Sequence, residues 1–322
     1  MCTAIIYRVK TPLFGRNLDV EDRYNENVII TPRSFTLSFR QSANLERHYA
    51  IIGVGICERG YPLYFDAANE HGLAVAGLNF VKNAKYMHPI PDKTNITPYE
   101  FIPYVLAKFK NVKEAMGELG NINLTNIPFS RELPLSELHW IIADKDEAIT
   151  VEQTEEGLRI YENDVGVLTN NPPFPFHIQN LSGYMNLTSH EAQNRFSDKL
   201  DLEAYSRGMG AIGLPGDSSS ASRFVRAAFS SFNSPKKEAS IDNVCQLFHI
   251  LSSVEQIEGT VRVGDKFERT EYSSVIDLGT LTYYYRTYAS METFAVRLPE
   301  INEENKLTLF PVSRSQKIHY QN

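Results

Sequence analysis

The sequence predicts an α+β fold in which sheets pack against one another and helices lie on their outer faces. Segments with strand patterns and segments with helix patterns come in separate blocks, unlike the regular βαβ alternation of a parallel sheet. The chain has 322 residues, of which 42% are hydrophobic and 22% charged, so it can bury a large core. No repeat or linker composition divides it, and we expect one domain over residues 1–322.

Strand patterns fill the first third of the chain and return twice later. Residues 3–9 are rich in β-forming residues, and in residues 35–40 large apolar side chains alternate with smaller or polar ones, as in a half-buried strand. Further strands are predicted at residues 49–54, 63–65, 73–80, 138–143, 148–153, 158–161, 165–168, 282–288, 293–297 and 307–310.

Helix signals lie between these strand blocks. Thr97, Pro98 and Glu100 supply a capping residue, a proline at the first helical position and a reciprocal acid, which predicts a helix to about residue 109. A second start at Asn111 is limited by the glycines that follow it, Gly117 and Gly120.

Two later helices are predicted at residues 222–232 and 240–251. The second has a helical apolar stripe, for which we predict burial, formed by Ile241, Val244, Cys245, Phe248 and Leu251.

Charge and apolar patterning exclude several classes of partner. Thirty-two basic and thirty-nine acidic residues give a net charge of −7, whereas nucleic-acid binding needs a concentrated basic face. No apolar run is long enough to cross a bilayer, and the first residues lack the pattern of a signal peptide. The three cysteines are too few and scattered for a disulfide framework or a zinc site. We expect a cytoplasmic protein with reduced thiols, no metal or cofactor, and neither nucleic acid nor membrane as partner.

Cys2 is the first candidate for chemistry. Removal of the initiator Met1 tolerates a small second residue and would leave Cys2 with a free α-amine beside its thiol. A free thiol titrates near pH ~8.5 and an α-amine near pH ~7.7–8.0, so the amine is partly neutral at pH 7 and can accept the thiol proton. Nucleophile and base would then belong to one residue. A retained Met1 would place the Cys2 nitrogen in a peptide bond and remove that base.

A papain-like triad is a second interpretation, because His139 and Asn170 follow Cys2 at about the spacing that such a triad uses. The papain-type thiolate lies at a helix N-terminus, however, whereas Cys2 begins a strand pattern. We therefore expect His139 to be a hydrogen-bonded core residue. Cys245 should also be in the core, and Cys57 should lie in a loop or at a strand end.

Several segments together resemble the choloylglycine hydrolase family of N-terminal nucleophile hydrolases, and among its members the bacterial bile salt hydrolases. They are Met1-Cys-Thr-Ala, FGRNLD at 14–19, NEHGL at 69–73, AGLNF at 76–80, LHW at 138–140, GVLTNNP at 166–172, GLPGD at 213–217, SRF at 222–224, FHILSSV at 248–254 and YYYRTY at 283–288. They occur in family order and cover nearly the whole chain. The resemblance implies a four-layer αββα sandwich, which agrees with the block pattern.

The resemblance also implies roles for individual residues. Cys2 would attack the amide carbon, Asp19 would bind and orient its α-amine, and Arg16 would lie near the thiolate and favour its charged form. Asn170 would donate its side-chain amide to the oxyanion.

The backbone N–H of Asn79 would be a second oxyanion donor, and Arg223 a further fixed positive charge. The substrate cleft would be lined by Leu18, Tyr24, Phe65 and Asn79.

The implied reaction is release of glycine or taurine from conjugated bile salts through a thioester, without a cofactor and by a homotetramer. Penicillin V acylase is the nearest alternative, and position 79 separates the two, because bile salt hydrolases tend to carry Asn there and penicillin V acylases often Tyr. N-acyl homoserine lactones are a possible side substrate in the family. A catalytically silent steroid-binding protein is the alternative from another class.

Overall fold

The computed structural model describes residues 1–300 and 305–322, and within them strands and helices alternate in blocks. In chain order the elements are β1 (Cys2–Tyr7), β2 (Leu13–Val20), β3 (Asn27–Thr31), β4 (Ile51–Glu58), β5 (Tyr61–Asn69), β6 (Ala74–Asn79), β7 (Thr94–Ile96), a 3₁₀ turn (Pro98–Glu100), α1 (Phe101–Lys108), α2 (Val112–Leu119), β8 (Ile122–Leu124), β9 (Leu138–Ala143), β10 (Ala148–Thr154), β11 (Gly157–Glu162), β12 (Val167–Leu168), α3 (Phe174–Leu181), a second 3₁₀ turn (Ser182–Tyr184), α4 (Ser220–Asn233), α5 (Ser240–Ser252), β13 (Val261–Val263), β14 (Lys266–Asp277), β15 (Thr282–Thr287), β16 (Ser290–Arg297) and β17 (Thr308–Pro311).

Two large antiparallel sheets form the centre of the molecule. Sheet 1 has the strand order β12-β1-β2-β14-β15-β16, with β13 paired to β14. Sheet 2 has the order β11-β10-β9-β6-β5-β4-β3-β17. A short parallel pair, β7 and β8, stands apart from both.

Helices cover the outer face of each sheet, which gives the four-layer αββα order. Helices α4 and α5 pack on sheet 1 so closely that a Cβ on Gly15 would meet the Leu247 side chain of α5 at 2.9 Å and would require that side chain to shift. Helix α1 packs on sheet 2, where Phe101 lies on Trp140 with ring centroids 4.4 Å apart. The predicted α+β sandwich is confirmed.

Most predicted elements occur close to their predicted bounds. The helix signal at Thr97 is confirmed, since the Thr97 N–H donates to the Glu100 carboxylate at 2.8 Å. The Asn111 side chain accepts from the Glu114 N–H at 2.9 Å and begins α2, which continues through Gly117 and ends before Gly120. Strand β9 has the predicted bounds, Leu138–Ala143.

Two predictions are wrong. Residues 35–40 do not form a strand, because only Leu37 makes a bridge, to Leu45, and the apolar alternation is satisfied by loop packing instead. In α5, Val244, Phe248 and Leu251 of the predicted stripe are buried, but Ile241 is 52% exposed and Cys245 is exposed. The buried face is rotated towards Leu247, away from these two residues.

Sheet 2 divides between β5 and β6. These strands pair only from Asp66 to Ala68. Beyond that point β5 continues beside β4 as far as Tyr61, while β6 continues beside β9 as far as Asn79. The two halves of the sheet diverge at this point, which leaves room for a cleft.

No helix in the described parts of the chain combines the length and apolar character that crossing a membrane requires.

Candidate active site

Register between β1 and β2 places the first candidate residues on one face of sheet 1. Cys2 pairs with Leu18, and Ala4 pairs with Arg16. Because paired residues in an antiparallel sheet point to the same side, Cys2, Arg16 and Leu18 all face sheet 2. The Cys2 side chain is 2% exposed and lies at the point where the cleft meets the space between the sheets.

Arg16 lies directly beside the Cys2 sulfur. Its Nη2 is 3.4 Å from the Sγ of Cys2 and donates to the carbonyl oxygen of Gly77 at 2.7 Å. Its Nη1 lies 3.4 Å from the carboxylate of Asp66. Burial opposes the charge of this guanidinium, but Tyr272, Cys2 and Asp66 around it raise the pKa of Arg16 overall. A fixed cation beside a thiol favours the thiolate.

Asp19 lies on the opposite face of β2, towards the helices. Its Oδ1 accepts from the Thr270 hydroxyl at 2.6 Å, while its Oδ2 has no hydrogen-bond partner among the described residues. Burial raises the pKa of the Asp19 carboxyl. The main chain of Asp19 pairs with Met1, whose amino group donates to the Asp19 carbonyl at 2.8 Å and contacts Glu268. The predicted contact between Asp19 and the α-amine of Cys2 remains a prediction for the chain without Met1.

Asn170 and Arg223 surround the Cys2 main chain. The Cys2 N–H donates to the Asn170 Oδ1 at 2.8 Å, and the Arg223 Nη2 donates to the same oxygen at 2.7 Å. The Arg223 Nη1 donates to the Cys2 carbonyl and to the Thr3 hydroxyl. The Asn170 Nδ2 donates to the Asn79 carbonyl at 2.8 Å, so its second N–H is available to a bound group.

Two histidines hold the segment that carries Asn170. His139 is fully buried, with Nδ1 3.1 Å from the Glu152 carboxylate and Nε2 2.9 Å from the Thr169 carbonyl. His177 is also buried, with Nε2 2.9 Å from the Asn170 carbonyl, and burial lowers its pKa. His139 is the predicted core residue, and its ring nitrogens contact Glu152 and Thr169 instead of forming a papain-like pair with Cys2.

A largely apolar cleft leads from Cys2 through the division in sheet 2. The four residues predicted for the substrate cleft line it, namely Leu18, Tyr24, Phe65 and Asn79, and their role in binding substrate remains a prediction. The rings of Tyr24 and Phe65 meet edge to face with centroids 5.7 Å apart. The far wall is formed by side chains of the segment between β8 and β9, namely Phe129, Leu133, Pro134 and Leu135. Cys57, at the end of β4, is the predicted strand-end residue.

The structure thus brings the nine predicted site residues to one region around Cys2 and its cleft. It adds residues that sequence reasoning missed, chiefly Asp66, Thr270 and His177. Asp66 had a signal in the sequence, since it is a lone acid in the otherwise apolar run Leu-Tyr-Phe-Asp-Ala-Ala. Thr270 had none, because an isolated threonine in a polar segment is ordinary.

Comparisons with known proteins agree with this fold. A family model described as "Linear amide C-N hydrolases, choloylglycine hydrolase family" matches residues 2–307. A protein of Lactiplantibacillus plantarum named "Bile salt hydrolase/transferase" is 51% identical over 322 residues, covering 99% of each chain.

Solved structures give the same result. The C2A mutant of the conjugated bile acid hydrolase from Clostridium perfringens matches with a TM-score of 0.92 at 35% identity, covering 100% of both chains. Penicillin V acylase from Agrobacterium tumefaciens matches with a TM-score of 0.74 at 19% identity, covering 96% of this chain and 91% of that one, which shows the fold alone.

The fold is that of an N-terminal nucleophile hydrolase. The chain belongs to the choloylglycine hydrolase family and is an enzyme that hydrolyses linear amide C–N bonds.

Proposed function

We propose that this enzyme hydrolyses the amide bond of glycine- and taurine-conjugated bile acids, with Cys2 as the nucleophile once Met1 has been removed. The observation that carries the proposal is the Sγ of Cys2, held 3.4 Å from the Nη2 of Arg16 at the inner end of an apolar cleft. The names of the 51% identical relative and of the Clostridium perfringens enzyme support the substrate class.

The first half of the reaction forms a thioester. The α-amine of Cys2 takes the thiol proton, and the sulfur attacks the carbonyl carbon while Arg16 stabilises its negative charge. The oxyanion accepts hydrogen bonds from the free N–H of the Asn170 amide and from the backbone N–H of Asn79. When the C–N bond breaks, the departing nitrogen takes the proton from the α-ammonium, and glycine or taurine leaves.

The second half repeats these steps with water. The α-amine accepts a proton from water as the oxygen adds to the thioester carbon, and the same donors bind the new oxyanion. Breaking the C–S bond releases the bile acid, and the sulfur recovers its proton from the α-ammonium. Asp19, on the far side of β2, would hold that ammonium in place between the two steps, because in the part of the chain that the structure describes its Oδ2 has no other partner.

The cleft suits a rigid apolar acyl group with a polar end. Leu18, Tyr24 and Phe65 supply an apolar wall next to the sulfur, and Leu133 and Leu135 face them. Asn79 is exposed at the end of β6, where the conjugate's anionic end can remain in water.

The test is release of free glycine and taurine from glycocholate and taurocholate by the purified enzyme, with Cys2→Ser as the control. We expect release by the wild type and none by Cys2→Ser, because a serine hydroxyl is a much weaker acid than a thiol. A Cys2→Ser protein with undiminished rate would contradict the proposed nucleophile. Binding of taurocholate without release would favour the silent steroid-binding protein.

The removal of Met1 needs its own measurement. We expect the intact mass of active protein to correspond to a chain that starts at Cys2. A fully active sample that retains Met1 would overturn the proposed base, because the Cys2 nitrogen would then be an amide.

Penicillin V acylase is the competing substrate assignment. Asn79 favours bile salts in terms of the family resemblance, so we expect glycocholate to be cleaved with a higher kcat/KM than penicillin V. A higher kcat/KM for penicillin V than for glycocholate in the same assay would make penicillin V acylase the better assignment.

A homotetramer in the cytoplasm is part of the same proposal. The segment between α3 and α4 exposes large apolar side chains, which in a solvated monomer have nothing to pack against: Met185, Phe196, Leu202, Tyr205 and Ile212. Native mass spectrometry should give four copies, and a monomer at assay concentration would contradict this. Three unpaired cysteines suit a reducing compartment.

A further inference from the structure

Asp66 is a fully buried carboxylate that links the two sheets beneath Cys2. It belongs to β5 of sheet 2, but its partners come from three strands of sheet 1. Its Oδ1 accepts from the Tyr272 hydroxyl and lies 3.4 Å from the Nη1 of Arg16. Its Oδ2 accepts from the Tyr283 hydroxyl at 2.6 Å and from the Ser274 hydroxyl at 3.0 Å.

The two tyrosines remain hydrogen-bond donors under all assay conditions. Burial, followed by the charge of Asp66, raises the pKa of both Tyr272 and Tyr283 well above the ordinary value. Their hydroxyls therefore stay protonated and stabilise the carboxylate. The two hydroxyls stabilise part of the negative charge of the Asp66 carboxylate. They therefore reduce how strongly Asp66 attracts the Arg16 guanidinium.

Arg16 is shared between Asp66 and Cys2. One arm of its guanidinium faces Asp66, while the other faces the Cys2 sulfur and the Gly77 carbonyl. Because the guanidinium is planar and rigid, a change on the Asp66 side is transmitted to the sulfur side.

We propose that Asp66 is a positioning residue of the amide hydrolysis, which holds Arg16 against Cys2 and, with Tyr272 and Tyr283, determines how much of the Arg16 charge acts on the thiolate. This rests on the proposed role of Cys2 as the nucleophile. Asp66 does not touch the sulfur and acts through Arg16.

The other titratable groups near the sulfur come from different elements, and among them Asp19 also interacts with Arg16. Arg223 approaches from α4 and Tyr24 from the segment after β2, while Asp19 lies on the far face of β2 beside Arg223. Asp66 itself is faced by Arg16, Tyr272 and Tyr283. Substitution of Tyr283 therefore reaches Cys2 through Asp66 and Arg16, whereas Tyr272 also acts on Arg16 directly.

The test is the pH profile of Cys2 alkylation by iodoacetamide, followed on the N-terminal peptide by mass spectrometry. In Asp66→Asn the positive charge of Arg16 is no longer shared with a carboxylate and acts more strongly on the Cys2 thiolate. The midpoint of the alkylation profile should therefore move to lower pH. At a pH below the midpoint, a tenfold larger thiolate fraction raises the alkylation rate, while the lower pKa makes each thiolate a weaker nucleophile. The net result should be an alkylation rate about threefold higher. In Tyr283→Phe and Tyr272→Phe, Asp66 attracts Arg16 more strongly, so the midpoint should move to higher pH.

The matched control is Tyr285→Phe, which removes a hydroxyl from the same strand, β15. That hydroxyl accepts from the Ser313 N–H at 3.0 Å and does not contact Asp66. Its alkylation profile should equal that of the wild type. For glycocholate, kcat should fall about tenfold in Asp66→Asn with KM nearly unchanged, because the thiolate is weaker and less well placed.

An unchanged alkylation profile in the tyrosine variants, or shifts of the opposite sign, would overturn the inference. If Asp66→Asn does not fold, the two tyrosine variants decide it alone. The alkylation readout does not require turnover, so a protein that fails to cleave bile salts but shows these shifts would contradict the proposed function and not this inference.

Discussion

Two buried arginines flank Cys2, and their surroundings differ. Arg16 projects from β2, and its partners include the carboxylate of Asp66 and the Cys2 sulfur. Arg223 projects from α4 and donates to uncharged oxygens of Cys2, Thr3 and Asn170, with Nε donating to the Ser218 carbonyl. The surroundings raise the pKa of Arg16, whereas burial lowers that of Arg223.

The difference indicates that one arginine acts mainly through its charge and the other mainly by positioning its hydrogen-bond partners. Arg16 belongs to a charge-balanced network, so its main effect should be on the electrostatic state of the sulfur. Arg223 spans four acceptors with one rigid fork, so its main effect should be on the position of the Cys2 main chain and the Asn170 amide. The following substitutions test that separation.

The largest effect is expected for Arg16→Met. It removes the cation beside the sulfur, and kcat for glycocholate should fall about 1,000-fold. It also leaves Asp66 buried without a countercharge, which should cost about 3–5 kcal/mol in urea unfolding. Arg16→Lys should recover part of the activity because it restores a positive charge. A loss of less than tenfold in Arg16→Met would remove the basis of the comparison.

A smaller loss is expected for Arg223→Met, about 100-fold in kcat. Its lost hydrogen bonds should destabilise the fold by about 3 kcal/mol. In contrast to position 16, Arg223→Lys should recover little activity, since a single ammonium cannot span the Cys2 carbonyl, Thr3 and Asn170. Full recovery by lysine would mean that Arg223 acts through its charge, and the two arginines would then have the same role.

The smallest effect is expected from His177, which contacts the Asn170 carbonyl and should make the stability of the fold depend on pH. Burial lowers the pKa of His177 in the folded chain. Below about pH 6.5, the ordinary pKa of histidine, the unfolded chain therefore binds a proton at His177 that the folded chain does not bind. The free energy of unfolding should therefore decrease as the pH is lowered from that point towards the folded-state pKa of His177. In His177→Gln, which keeps a donor for the Asn170 carbonyl, this part of the slope in urea unfolding should be absent. An identical slope in both proteins would assign it to other groups.

Local signals predicted the elements whose structure is determined locally. The cap at Thr97, the start at Asn111 and the apolar strand β9 were predicted because neighbouring residues in the sequence supply the stabilising contacts. Strand β14 was missed because its sequence, Lys266–Asp277, reads as polar. Its polar side chains are buried by partners far away in the chain, such as Thr270 with Asp19.

The candidate site could be predicted only as far as the family resemblance reached. Cys2, Arg16, Asn170 and Arg223 were identified and lie together around the sulfur. Asp66 could not be assigned, because its importance depends on the packing of sheet 2 on sheet 1. The exposed Cys245 shows the same limit, since the orientation of α5 is set by the sheet beneath it.

Met1 precedes β1 and is bound to the main chain of Asp19, which restricts when Met1 can be removed. Its amino group is bound to the Asp19 carbonyl at 2.8 Å, and its side chain is only 25% exposed, so the folded chain conceals the bond that an aminopeptidase would cut. If loss of Met1 activates the enzyme, the cut has to come during synthesis, before β1 takes its place beside β2. Each newly made chain then has one interval in which it can be activated, and overproduction that outruns the aminopeptidase would yield folded, inactive protein.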